Sequence, residues 1–366
     1  MNKQIWSVPG NFLIAGEYFV TEKNGKGIAV AGGSRATLEI TENQEKCLKV
    51  ISGSGGSNIL WESNKPVRKN SELTNGSKAG TGTLDNSNTA VQKTVCSVCD
   101  FLLEKIYQDT KTGPPGLILK INTSDFFFKN GNKKGLGSSA AAAILFSKGF
   151  FPDLNTDKII KYALEAHTVI QGKKGSGYDV VISIHGGCGI YTNTTDKPLL
   201  EKTAWPDSHD YYILNNSKPV KTSRAIDNYI IWKNNNPEIF NQIKNIYNKE
   251  LENLEHFLRN LSLNKDKNVF MEIIKNLSQL SCELGTKINV AADPYNGEYP
   301  ELKDILLNNR NGCAVKSLGA GNETVLIAAE PGSFTKKEES AIEQLIKTEK
   351  IFKLKVDMPG LNNENS

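Results

Sequence analysis

Apolar residues recur along the chain with two periods, and the change from one to the other marks out the elements. Val91, Val95, Val98, Leu102 and Ile106 fall three or four apart, which predicts a helix through TAVQKTVCSVCDFLLEKIYQ. TDKIIKYALEAHTVIQGKKG reads as a second helix that stops near Gly172. Two long amphipathic helices are expected in NPEIFNQIKNIYNKELENLEHFLRNL and NVFMEIIKNLSQLSCELGTKI. Alternating or continuously apolar runs predict strands. IWSVPGNFLIAGEYFV reads as a strand, a Pro-Gly turn and a second apolar run. GIAVAG, ATLEITENQ, CLKVIS, GLILKINTSDFF and DVVISIHGGCGIY read as further strands, and GCAVKSLGAGNETVLIAAE closes on another. Ser52 to Asn88 is rich in Gly, Ser, Asn and Lys around Trp61, the composition of a long surface loop or flap.

A chain of 366 residues exceeds what one hydrophobic core usually organises, so two domains are expected. A composition shift near Asp207 places them at 1–205 and 206–366. With 38% hydrophobic and 23% charged residues the chain can bury real cores, which excludes a wholly disordered protein. A net charge of +4 is too mild to argue for nucleic-acid binding, yet it permits a basic pocket for a phosphorylated small molecule. Six cysteines in this length do not make a disulfide scaffold, and the one C-x-x-C, Cys96 and Cys99, reads as buried sulfurs on a helix. MNKQIWSVPG lacks the apolar core of a signal peptide, and the longest uninterrupted apolar run, Ala140 to Phe146, is too short to span a bilayer. The expectation is a soluble cytoplasmic protein without a membrane partner; composition leaves a homodimer open.

Candidate chemistry centres on Gly135-Leu136-Gly137-Ser138-Ser139, followed by four alanines from Ala140. Alanine is the best helix former, so a helix should start here with a serine as its cap. A glycine loop opening a helix gathers unpaired backbone N–H groups and the positive dipole end, which suits an anion such as a nucleotide phosphate. Ser138 and Ser139 add hydroxyls for a phosphate or a magnesium ion. The lysine of a Walker loop does not follow, so this is a different phosphate grip. The second signal is Gly175-Ser176-Gly177-Tyr178-Asp179. Its glycines let backbone approach a ligand closely and should deliver Asp179 from the edge of the strand VVISI, where it can accept a proton or orient an attacking oxygen. Pro9-Gly10-Asn11, Ala15-Gly16-Glu17-Tyr18 and Gly319-Ala320-Gly321 are weaker glycine strings near the two ends.

Taken together, P-G-x-x-x-x-A-G-E-Y, G-L-G-S-S-A-A and G-A-G resemble the three motifs of the GHMP small-molecule kinase superfamily. Within it, AHTVIQGKKGSGYDVVISIHGG is similar to the phosphomevalonate kinase pattern, as are Lys133 before GLGSS and NSKPVKTS from Asn216 to Ser223. The resemblance implies an α+β fold: an N-terminal α/β domain with a left-handed βαβ unit and a C-terminal ferredoxin-like domain. It implies transfer of the γ-phosphoryl of ATP to 5-phosphomevalonate, with ATP and Mg²⁺ as cofactors. Carried onto matching positions, Gly135, Leu136, Gly137, Ser138, Ser139 and Ala140 hold the ATP phosphates with Lys133, and Ser139 meets the magnesium. Asp179 and Lys218 are the catalytic pair. Asn11, Glu17, Tyr18, Ser176, Gly177, Thr222, Ser223, Gly319, Ala320 and Gly321 face the substrate. Apart from the resemblance, a further expectation is that the Ser52–Asn88 loop covers the adenine side of the site and orders on binding. His167 also matches a family position, but one helical histidine is more often packed than catalytic.

Two departures bear on this. The superfamily usually carries lysine where this chain has Asn11. A phosphate acceptor, largely dianionic at neutral pH, needs alignment and charge neutralisation more than a strong base. In the third motif Asn322-Glu323-Thr324 replaces glycines, and glutamate tolerates a left-handed backbone poorly. Mevalonate kinase, another GHMP activity and a non-catalytic ligand-binding paralogue are the alternative readings.

Overall fold

The computed structural model describes the chain except residues 1–2, 46, 55–56, 64–88, 111–115, 129–130, 132, 173–174, 196, 217–221, 264–266, 297–301, 304–305, 307–311 and 366. Its segments group into two compact units, each assembled from separate stretches of chain. The first comprises residues 1–10, 34–186 and 359–366, the second 11–33 and 187–358.

In the first unit the strand order is β12-β1-β2-β5-β3-β4. The strands are β1 (Gln4–Ala15), β2 (Lys26–Glu42), β3 (Leu48–Ser54), β4 (Ser57–Ser63), β5 (Leu117–Asn122) and β12 (Asn362–Asn363). β3 and β5 run parallel, while β2/β5, β3/β4 and β1/β12 are antiparallel. Among the described residues its α-helices are α1 (Thr89–Thr110), α2 (Ser138–Phe150), α3 (Thr156–Gln171) and α4 (Tyr178–His185). α2 packs on α1, α3, α4 and β5. Its alanines let neighbours approach, since Ala140, Ala141 and Ala143 are wholly buried, and a Cβ on Gly149 would lie 2.7 Å from a methyl of Leu119. α3 starts on Asn155, whose side chain accepts the Lys158 N–H, and ends on Gly172 with a left-handed φ of 71°.

The second unit contains β6 (Cys188–Thr192) and β7 (Leu199–Thr203), antiparallel to each other, with β6 pairing the first residues of β2. It also contains β8 (Asp210–Asn215), α5 (Thr222–Asn235), α6 (Pro237–Arg259), α7 (Lys267–Lys287), β9 (Cys313–Leu318), β10 (Thr324–Ala329), α8 (Lys336–Lys347) and β11 (Ile351–Lys353). The antiparallel sheet β11-β8-β10-β9 has helices between its first and second and its third and fourth strands in chain order, which is the ferredoxin-like arrangement. One face carries Leu214, Val315, Val325, Ile327 and Ile351 into a core with Leu302, Leu306 and Leu345. α8 opens with a capping box between Thr335 and Glu338. The whole is mixed α and β, as expected.

Several local expectations are corrected. β1 passes straight through Pro9-Gly10 without a turn. β12 reaches only Trp6 and Ser7, so the N–H that Pro9 lacks costs no bond on that side. GIAVAG and ATLEITENQ are one strand, β2, whose Gly33 takes a φ of 82° between the ladder to β6 and the ladder to β5. Gly32 lies so close to the Leu354–Val356 segment that a Cβ would come within 2.5 Å of the Lys355 carbonyl. Residues 52–54 and 57–63 of the expected loop are strand, and Trp61, a core residue against Phe150, donates its indole N–H to Asp100. The rest of that loop, and with it the adenine-covering role, lies outside the described residues. YDVVISIH is helix α4 and not strand: a short continuous apolar run has no period to decide between them.

Candidate functional site

In the first unit the glycine loop turns into α2 through Gly135 and Gly137, both left-handed at φ 69° and 75°. The helix cap is Gly137 and not a serine, and no side chain caps it. Ser138, Ser139 and Ala140 therefore form the first turn, where backbone N–H groups have no intrahelical acceptor. Leu136 is buried beneath them, Ser138 and Ser139 are half-buried, and Ala140 begins the packed face. This is a cradle for an anion: donors and the positive helix end converge, and the capping position carries no side chain to fill it. Lys133, two residues before Gly135, is exposed and bridges to Phe127.

α4 opens in the same manner. Gly177, at φ 79°, is its cap, and Asp179 stands in the first turn instead of at a strand edge. A carboxylate there faces the positive helix end. One of its oxygens accepts the Val180 N–H at 2.9 Å, and its side chain is 16% exposed, enough to meet a ligand. Ser176 is half-buried just before it.

α3 joins the two helix starts. His167, 4% exposed, places Nε2 3.1 Å from the Ser139 hydroxyl, 3.5 Å from Asp179 Oδ2 and 2.9 Å from the Gln171 amide nitrogen. The structure thus brings Ser139 and Asp179 to the same nitrogen of one imidazole. His167 and Gln171 are what sequence reasoning underweighted. Their signal was the i, i+4 spacing on α3 just upstream of the glycine string.

The second unit holds the remaining candidates. Glu17 and Tyr18 follow β1. Glu17 is buried and receives an ion pair from Lys316 of β9, itself wholly buried, and a hydrogen bond from Ser281 at 3.2 Å. Burial pushes the Glu17 carboxyl upward while Lys316 pulls it back. Tyr18 donates to the Ala320 carbonyl at 2.8 Å and stacks on Tyr229, joining two predicted substrate residues at the Gly319-Ala320-Gly321 turn between β9 and β10. Asn322 and Glu323 avoid the left-handed region that Gly319 and Gly321 take, at φ 66° and 156°. Asn322 is buried, its N–H donating to Ala291, and Glu323 accepts the Asn216 N–H through its carbonyl, so the altered motif closes as an ordinary tight turn. Asn11 is 3% exposed on β1. Thr222 and Ser223 are exposed at the start of α5, and Lys218 lies outside the described residues. The expected catalytic partnership of Asp179 with Lys218 therefore has only its aspartate in view.

Residues 95–187, from within α1 to the Gly-Gly pair after α4, match the family model "GHMP kinases N terminal domain". The loop into α2, the His167 cluster and Asp179 all fall inside it. No curated protein matches the chain by sequence. Among solved structures, the Lin0012 protein from Listeria innocua superposes with a TM-score of 0.72 at 19% identity, covering 100% of both chains. Streptococcus pneumoniae phosphomevalonate kinase, in complex with phosphomevalonate and AMPPNP, gives 0.64 at 13% identity over 97% of this chain and 100% of that one. Methanococcus jannaschii mevalonate kinase gives 0.62 at 19% identity over 97% and 98%. At these identities the likeness is one of fold alone.

Proposed function

We propose that this protein is an ATP-dependent kinase whose acceptor is the phosphate of 5-phosphomevalonate. The observation that carries the reading is the convergence of an uncapped helix start and a first-turn carboxylate on His167, inside a GHMP N-terminal domain. The loop from Gly135 to Ala140 grips the ATP phosphates through N–H groups, with the exposed Lys133 two residues upstream as a cation. Ser139 offers its hydroxyl oxygen to Mg²⁺, which neutralises phosphoryl charge when bound. Asp179 aligns the acceptor, and Ser176 and Gly177 hold it. An acceptor phosphate oxygen forms the new bond to the γ-phosphorus as the bond to the β–γ bridging oxygen breaks, releasing ADP. Such a dianion has little proton to lose, so alignment and charge outweigh basicity. This suits a chain with Asn11 in place of a lysine. Lys218 remains the proposed catalytic lysine, and Thr222 and Ser223 remain proposed substrate residues. Asn11, Glu17, Tyr18 and Gly319 to Gly321 remain proposed substrate residues; within their own unit Tyr18 meets Ala320 and Glu17 pairs with Lys316.

Coupled ADP release, measured with Mg·ATP against mevalonate, 5-phosphomevalonate and homoserine, tests the proposal. Turnover with phosphomevalonate alone is expected. Preference for mevalonate would replace the acceptor, and nucleotide binding without turnover on any of the three would make the chain a non-catalytic paralogue.

A further inference from the structure

The imidazole of His167 is placed as more than packing. Its Nε2 has one bonding position, either an N–H or a lone pair, yet three polar groups compete for it. They are Gln171 at 2.9 Å, Ser139 at 3.1 Å and Asp179 Oδ2 at 3.5 Å. An ionised carboxylate only accepts, so a bare Nε2 would set lone pair against lone pair. An N–H there suits all three, because the serine oxygen accepts and the Gln171 amide, turned by half a rotation, presents its carbonyl. The other Asp179 oxygen is already held by the Val180 N–H, which leaves Oδ2 as the one His167 faces.

We propose that His167 is a positioning residue which fixes the phosphate-loop serine and the acceptor-side carboxylate relative to each other through an N–H at Nε2. Gln171, one turn along α3, holds the ring in that orientation. With its oxygen engaged by Nε2–H, Ser139 directs its own proton toward the anion at the start of α2 and keeps its remaining lone pair for a cation such as Mg²⁺. Asp179 is kept from swinging onto that serine and competing with the nucleotide. This rests on the reading of the two groups given above. His167 touches neither phosphoryl group and acts only through its neighbours.

The test uses full-length wild type, His167→Ala, His167→Gln, Ser139→Ala and Asp179→Asn. In ¹⁵N-edited NMR the wild-type ring should carry its proton on Nε2, and Asp179→Asn should shift that resonance. His167→Ala should lower kcat about 10- to 100-fold at little-changed KM for Mg·ATP, with the affinity for a nonhydrolysable ATP analogue altered less than about threefold. His167→Gln, whose amide N–H reaches a similar point, should recover part of the loss. A bare Nε2 in the wild type, or wild-type kcat in folded His167→Ala, overturns the proposal. A fall in melting temperature with kcat untouched would show packing alone and also overturn it. A wild-type protein that phosphorylates no acceptor defeats the proposed reaction instead. The imidazole then decides by itself: a proton on Nε2 sensitive to Asp179→Asn upholds the assignment, and a bare nitrogen sinks it.

Discussion

Asp179 and the buried Glu17–Lys316 pair illustrate two opposite uses of a carboxylate. Asp179 is partly open, held by one backbone N–H and faced by an imidazole, so it can be changed without emptying a core. Asp179→Asn should cut turnover by at least about 100-fold while nucleotide affinity stays nearly constant; equal turnover would remove its aligning role. Glu17 is paired deep inside the second unit, and Glu17→Gln leaves Lys316 a buried charge without its counter-ion, held by the Ser317 carbonyl at 3.0 Å. Denaturant unfolding should show a loss of about 3–5 kcal/mol. Thiols offer a simpler check. Burial pushes Cys188 and Cys313 up to about 12 and Cys282 up to about 11. Alkylation of the native protein at pH 8 should therefore pass over all three, and unfolding should release them. At this scale the sequence was most legible where glycines stand beside hydroxyls or a carboxylate, in Gly135–Ser139 and Gly175–Asp179. It was least legible at His167, Gln171 and Lys316, because their meaning lies in neighbours brought from other elements.

Helix starts made by left-handed glycines position this site, and glycine contacts can separate backbone strain from crowding. Gly360 and Gly319 share nearly the same φ, 63° and 66°. A Cβ on Gly360 would sit 2.3 Å from the Ile184 carbonyl, whereas one on Gly319 meets nothing within 4 Å. Both alanine variants pay the left-handed penalty of about 1–2 kcal/mol. Gly360→Ala should lose clearly more than Gly319→Ala in equilibrium unfolding, because only it displaces the end of α4. Helices α1, α3, α6 and α7 were legible from periodicity, since each has one apolar face. Boundaries failed where period gives no guidance. β1 and β2 were split at Pro-Gly and Gly-Gly, and α4 was taken for a strand because a fully buried short run is apolar on every side.

For the whole molecule, mixed α/β content and a ferredoxin-like second sheet agree with the expected fold. Among the described residues no helix is long and apolar enough to cross a membrane. Ionisable groups set the pH response. Burial raises the pKa of the Cys188, Cys282 and Cys313 thiols and of the Tyr18, Tyr211 and Tyr229 phenols. Above about pH 9 the unfolded chain sheds these protons before the folded one, so it binds fewer and stability must fall as pH rises. Urea midpoints should decline steadily from about pH 9 to 11; a flat profile would mean these groups reach solvent.

The account as a whole stands on what the start of α2 holds. A crystal structure with Mg²⁺ and a nonhydrolysable ATP analogue measures that directly. The triphosphate should lie against the N–H groups of Ser138, Ser139 and Ala140, on the side toward which Asp179 is open. A triphosphate bound elsewhere, with that first turn facing only solvent, would contradict it.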